Sequence, residues 1–166
     1  MARLIDPTID KSTWGAGPWQ TEPDRVEWTH ADLPCLAVRN HFGAWCGYAA
    51  VPPGHPLHGK HYDAVDVDAH GGLTYAGACS GHICHVPKPG EPDDVWWFGF
   101  DCAHAFDVMP GMDAYWRGCG RLPIDGPECT YKTLAYVQAE TNQLAGATGG
   151  AERRRRVVNL HFHNAV

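Results

Sequence analysis

Apolar residues along this chain fall mostly in short runs bounded by glycine and proline, and take a helical period in one stretch only. Residues 36–39 and 46–51 are apolar runs on either side of 40–45, where Gly43 supplies a turn; together they predict a β-hairpin. Residues 65–67 and 73–78 form a second expected strand pair around the Gly71-Gly72 break. Residues 95–100 (VWWFGF) carry the clearest strand pattern, short, aromatic and β-branched, and are followed at once by Asp101. Over residues 131–145, Leu134, Val137, Thr141, Leu144 and Ala145 share one stripe at helical spacing, and Gly146 is placed to end the helix.

The remaining segments read as connections. The chain up to Pro34, rich in Pro, Trp and charge, reads as loop with at most one short helix. Pro and Gly likewise break the segment after Val51 and recur through residues 108–127, which predict a long loop. In the tail, Arg153 to Arg156 precede an alternating stretch in which Val158, Leu160 and Phe162 would share one face of a strand; a disordered basic tail is the alternative. The expected fold is α+β: a small antiparallel or mixed sheet, one long C-terminal α-helix packed on it, and long loops. Residues 1–150 form a single domain and 151–166 its basic tail.

Composition narrows the functional classes. A chain of 166 residues with 44% hydrophobic residues and seven tryptophans can bury a core without cross-links. The net charge of −6 disfavours a general nucleic-acid surface but leaves room for a local anion site. No apolar run approaches the length needed to cross a bilayer, and the N-terminus lacks a secretion-signal pattern. Seven scattered cysteines, an odd count, predict free thiols and no disulfide network, as in a cytoplasmic protein.

Candidate chemistry gathers between His70 and Asp107. Asp101, His104 and Asp107 are spaced by three, so a helical turn or tight loop would converge them. A mixed carboxylate and imidazole set suits a divalent metal or an acid/base pair. His70, ahead of two glycines that let backbone approach a ligand, is the further nitrogen ligand. The ordinary reading makes Asp101 a turn cap, His104 and Asp107 a surface pair, and His70 a turn residue. The segment CSGHICH (Cys79, His82, Cys84, His85) has zinc-like composition but poor spacing, and buried free cysteines are its default reading.

Further candidates lie outside that segment. His55, His58 and His61 sit in a Gly/Pro-rich loop. Lys60, the only basic residue between Arg39 and Lys88, is a candidate for an anionic group. Glu140, on the flank of the predicted helix with Tyr136 one turn before it, and His55 are candidate general acid/bases. Tyr75, Trp96 and Trp97 are candidate stacking surfaces, with core packing the ordinary alternative for the tryptophan pair. The chain has no phosphate-loop, dinucleotide-binding, zinc-protease or nucleophile-elbow motif, which removes the commonest readings of those classes.

The blocks CGYAAVPPGHPLHGKHYD, DVDAHGGLTY, ICHVPKPGEPDDVWWFGFDCAHAFD and YKTLAYVQAE resemble a family of small, uncharacterised proteins of bacteriophages and prophage-bearing bacteria. The resemblance spans about Cys46 to Leu144. It implies that His55, His70, Asp101, His104, Asp107 and Glu140 are the recurring polar positions, with His58 and His61 outside the pattern. Phe106 departs from it, standing where a small residue is expected. The phage setting raises nucleotide metabolism and counter-defence as themes without supplying an activity.

Two principal functions follow. The first is a metal-dependent hydrolase of a small phosphorylated or nucleotide-like substrate. His70, Asp101, His104 and Asp107 would hold zinc or manganese, Glu140 or His55 would act as acid/base, and Lys60 would face phosphate. The second is a non-catalytic binder of a nucleotide signal, with Trp97 and Tyr75 as stacking surfaces. A structural protein with a buried His/Asp network is the third possibility.

Overall fold

The computed structural model describes residues 9–123 and 126–163, with side chains over 9–123 and 126–150. Its centre is a five-stranded, wholly antiparallel sheet of β1 (Arg25–His30), β2 (Leu33–Arg39), β3 (Trp45–Val51), β4 (Tyr75–Ala78) and β5 (Trp96–Asp101), in the order β1-β2-β3-β5-β4. Two α-helices follow in the chain, α1 (Pro110–Gly118) and α2 (Leu134–His163). The α+β class therefore holds, with the sheet dominant.

The β2–β3 hairpin forms as its apolar runs predict, with Cys35 opposite Ala49 and Arg39 opposite Trp45. In its turn, the Asn40 side-chain oxygen accepts the N–H groups of Phe42 and Ala44, each at 3.0 Å, and Gly43 takes φ 90°. Strand alternation then sorts the core into two faces. Ala37, Ala49, Phe98 and Phe100 lie on one, packed against Val137, Leu144 and Ala145 of α2. Leu36, Val38, Tyr48, Ala50 and Trp97 lie on the other, covered in part by Ile83. At Gly47 a Cβ would come within 2.3 Å of the Thr141 hydroxyl, so the missing side chain lets α2 lie close to the sheet.

Several expectations are corrected. The segment before Pro34 contains β1, joined to β2 through Ala31 and Asp32, both at positive φ (51° and 62°). This is the conformation of a tight hairpin turn usually carried by Asn-Gly, so its sequence gave no warning. Residues 65–67 form no strand, and β4 pairs with β5 instead. Residues 108–127 hold α1, whose Pro110 sits in the first turn, where proline costs no hydrogen bond. Its Gly111 approaches the backbone of Phe42 so closely that a Cβ would meet it at 2.9 Å.

Helix α2 starts later than expected and runs past Gly146, which does not adopt the left-handed conformation that stops helices. The stretch holding Val158, Leu160 and Phe162 is helical rather than a strand. Extending a formed helix needs no new nucleus, and arginine favours it.

Cys79 and Cys84, expected to be free, form a disulfide across a small turn in which Ser80 and Ile83 pair. Cys35, Cys46, Cys102 and Cys119 are free thiols. Burial pushes the thiols of Cys35 and Cys46 up to about 12, which marks them as packing groups. Among the described residues no helix is long and apolar enough to cross a membrane.

A buried ionic cluster anchors the start of α2. Arg39, 1% exposed, donates to Glu22 and Asp24 at 2.8 Å each and to the Gly43 carbonyl at 3.1 Å, with its guanidinium 4.3 Å from the Trp45 ring centroid. The Tyr131 hydroxyl donates to Glu22 at 2.6 Å, and Lys11 pairs with Asp24 at 2.7 Å. The second oxygen of Glu22 accepts the Leu134 N–H at 2.9 Å, capping the first residue of α2. Burial by itself would raise the Glu22 carboxyl; bonds from Tyr131, Leu134, Arg39 and Trp45 outweigh it and hold the group below its ordinary value.

Candidate functional site

The chain leaves β5 at Asp101 and turns sharply, with the Asp107 N–H donating to the His104 carbonyl at 3.1 Å. Asp107 folds back into this turn, and its Oδ2 accepts the His104 backbone N–H at 3.0 Å. Backbone bonds from Thr130 to Phe106 (2.9 Å) and from Val108 to Thr130 (3.0 Å) tie the turn to the segment entering α2. That tie brings Lys132 within 3.7 Å of Asp107 Oδ1. The Asp107 side chain is only 3% exposed, so it stands as a carboxylate hub beneath the site.

His70 reaches the same hub from a loop far earlier in the chain. Its Nε2 lies 2.7 Å from Asp107 Oδ2 and its Nδ1 3.0 Å from the Tyr136 hydroxyl. A carboxylate only accepts, so in this arrangement Nε2 carries the proton and Nδ1 accepts from the phenol; a metal at Nε2 would shift that proton to Nδ1, which would then donate to the Tyr136 oxygen. Burial, followed by the nearby Glu140 charge, raises the Tyr136 phenol above its ordinary value and keeps it a donor. Glu140 Oε2 accepts the His70 backbone N–H at 2.9 Å, fixing the loop to α2. The adjoining Gly71, at φ 65°, is indispensable: a Cβ there would fall 2.2 Å from the His104 ring.

Ligating atoms of His70, His104 and Asp107 all lie within 4.8 Å of one another, so this cluster can hold a metal ion. The two imidazole rings are 5.4 Å apart, centre to centre. His104 Nδ1 is buried and has no hydrogen-bond partner, although carboxylate oxygens of Asp107 and Asp101 lie 3.6 and 3.9 Å away. A ring nitrogen with no hydrogen-bond partner beside two anionic groups is the electrostatic setting a cation completes. Two imidazoles and one carboxylate form a three-residue set that leaves coordination positions for water or substrate.

The other predicted residues are distributed differently. Asp101 stands at the edge of the cluster, its oxygens accepting from the Thr74 hydroxyl (2.8 Å) and the Ala103 N–H (3.1 Å). It serves the turn and is not one of the three converging groups. Glu140 acts on the backbone of His70 and is a positioning residue. His55 is buried, and its Nδ1 accepts the Leu57 N–H at 3.1 Å within its own loop.

Lys60 is exposed, and its carbonyl accepts from Trp96 at the start of β5. The His/Asp cluster follows the other end of that strand, about 17 Å along it. Trp97 is 0% exposed and Tyr75 packs edge-on to Tyr48, both on the sheet face away from α2. Neither can stack on a ligand at this cluster, which removes them as its aromatic surface.

Two features escaped the sequence. Lys132, two residues before α2, is the cation at the site, its ammonium also 5.4 Å from the Tyr136 ring. Beside the cluster opens a cavity of about 130 Å³ between the 104–107 turn and α1, walled by His104, Phe106, Asp107, Met112 and Trp116. Phe106, 55% exposed, holds φ 72°, a left-handed conformation that favours glycine. Its departure from the expected small residue was the one available signal. Comparison with known protein families, curated proteins and solved structures finds no match for this chain.

Proposed function

We propose that the protein is a metal-dependent hydrolase of a small phosphorylated or nucleotide-like molecule, with a divalent ion held by His70, His104 and Asp107. The observation that carries the reading is the convergence of these three ligating groups around a buried, unbonded His104 nitrogen. Zinc or manganese suits this mixed nitrogen and oxygen set and would supply a water acidic enough to act as nucleophile near neutral pH. The protein's own groups do the rest. The Tyr136 hydroxyl orients the His70 ring, Glu140 fixes its backbone, and the Lys132 ammonium offers a positive charge to a phosphoryl oxygen. Phe106, Met112 and Trp116 give the cavity a face suited to a planar base. The resemblance of the sequence to phage and prophage proteins is in keeping with nucleotide chemistry.

A non-catalytic nucleotide binder is favoured by one fact: the carboxylate of Glu140, the candidate base, is already engaged by the His70 N–H. Product formation separates the two readings. Protein purified without added metal should contain close to one zinc or manganese per chain by elemental analysis. His104→Ala should lower metal affinity at least about 100-fold with an unchanged circular dichroism spectrum. Phosphorus NMR of nucleoside phosphates incubated with the loaded protein should show hydrolysis. Metal retained in full by the variant would refute the ligand assignment, and intact ligand bound without turnover would establish the binder.

A further inference from the structure

At the far edge of the sheet, a second cavity, of about 200 Å³, opens between the β1–β2 hairpin and the segment preceding β5. Its volume exceeds the roughly 30 Å³ share of one water several-fold. Trp28, Pro34, Pro52, Pro92 and Val95 give it apolar walls, and His85 lines it. His85 is 8% exposed, and neither ring nitrogen has a hydrogen-bond partner. The neighbouring Trp97 ring lies edge-on at 5.6 Å, and its own indole nitrogen is likewise buried without a partner.

Native folds rarely leave a buried donor and acceptor unmet, since each forfeits the hydrogen bonds it made to water. His85 could have been packed as phenylalanine at no such cost, so its bare acceptor nitrogen points to a donor that enters the cavity. Burial, the leading influence, lowers the imidazole's proton affinity, so His85 is neutral and presents one acceptor and one donor. The rim sets the sign of the guest: with Glu27 offset by Arg25, the carboxylates of Asp32 and Glu91 stand against the single ammonium of Lys88. Glu27 is paired with Arg25 and Glu91 accepts the Lys88 backbone N–H, whereas the Asp32 carboxylate stands exposed on the hairpin turn.

We propose that this cavity is a second ligand site, independent of the His70–His104–Asp107 cluster, that takes a small organic ammonium ion. The apolar body of the guest fills the proline- and tryptophan-lined walls, its N–H groups donate to the free lone pair of His85, and its charge faces Asp32 and Glu91. The test titrates the whole protein with benzylammonium, benzyl alcohol and benzoate while following the imidazole nitrogens of His85 by NMR.

Benzylammonium should shift the His85 signals saturably at millimolar concentration, with His70 and His104 unmoved; benzyl alcohol should bind at least several-fold more weakly and benzoate not at all. His85→Phe, which keeps the ring volume, should weaken benzylammonium at least 10-fold as read on neighbouring backbone amides. The surface variant Asp32→Asn/Glu91→Gln, which leaves the packing untouched, should weaken it several-fold. Absence of saturable binding, unchanged affinity in both variants, or equal affinity for benzoate would overturn the proposal.

Discussion

Among the described residues, two clusters of charged side chains lie beside α2, and they differ in how completely their bonding is met. Around Arg39 all three guanidinium nitrogens are bonded, Glu22 is shared between Arg39, Tyr131, Trp45 and the α2 backbone, and the Arg39 side chain is 0% exposed. Around Asp107 the His104 ring is 35% exposed and its Nδ1 makes no hydrogen bond. The first cluster is finished and belongs to the fold; the second is open and is the place proposed for a ligand. They are also connected, because Glu22 fixes the first residue of α2, which carries Tyr136 and Glu140 to His70. A closed polar network thus sets the helix from which an open one is oriented.

The comparison breaks most readily at Arg39. Replacing it by alanine removes the buried guanidinium that Glu22 and Asp24 share and should cost about 3–5 kcal/mol in chemical denaturation. His104→Ala should stay within about 1 kcal/mol of wild type. Equal losses would mean that both clusters are structural.

A smaller effect tests the loop that carries His70. Gly71→Ala forces a Cβ into the His104 ring and a left-handed φ on alanine, for about 1–2 kcal/mol of stability. Metal affinity should fall about 10-fold or more, because the ring that must move is a proposed ligand. Isothermal titration would decide it: loss of stability with affinity intact would take His104 out of the site.

Phe106→Gly sharpens the contrast from the other side. Relieving the left-handed strain, about 1–2 kcal/mol, against the entropy cost of glycine, about 0.5–1 kcal/mol, leaves a net gain of roughly 0–1.5 kcal/mol. The same change should weaken nucleotide binding, measured by fluorescence of Trp116. A variant both more stable and unimpaired would show that the phenyl ring has no part in recognition.

The smallest effect concerns acid. The Glu22 carboxyl is depressed in the folded protein, so its contribution is full above the ordinary glutamate value and is lost as pH falls through the lower folded value. Glu22→Gln should flatten the acid limb of stability against pH, followed by denaturation midpoints across the carboxylate range. An acid limb of undiminished slope would assign acid sensitivity to other groups.

Local patterns carried their elements into the structure where period and burial agree. The β2–β3 hairpin, β5 one residue later than the VWWFGF run, and the stripe of Val137, Thr141, Leu144 and Ala145 on α2 are fixed by neighbours along the chain. β1 was hidden because an edge strand, RVEWTH, leaves Glu27, Thr29 and His30 exposed and blurs its alternation. In α1, glycine and proline stand where a helix tolerates them, so a segment that reads as broken is helical.

For the site, the sequence by itself determined that a histidine and carboxylates lie three residues apart after a strand, near enough for one tight turn to join His104 to Asp107. His70 was named as the further ligand from its sequence, but only the tertiary structure decided that it reaches Asp107, that Lys132 rather than Lys60 stands beside the cluster, and that Asp101 serves the turn while Trp97 is core. The physical reason is range. Periodicity and turn chemistry act over a few residues, whereas a carboxylate hub is assembled by sheet order and helix docking, which bring together side chains tens of residues apart.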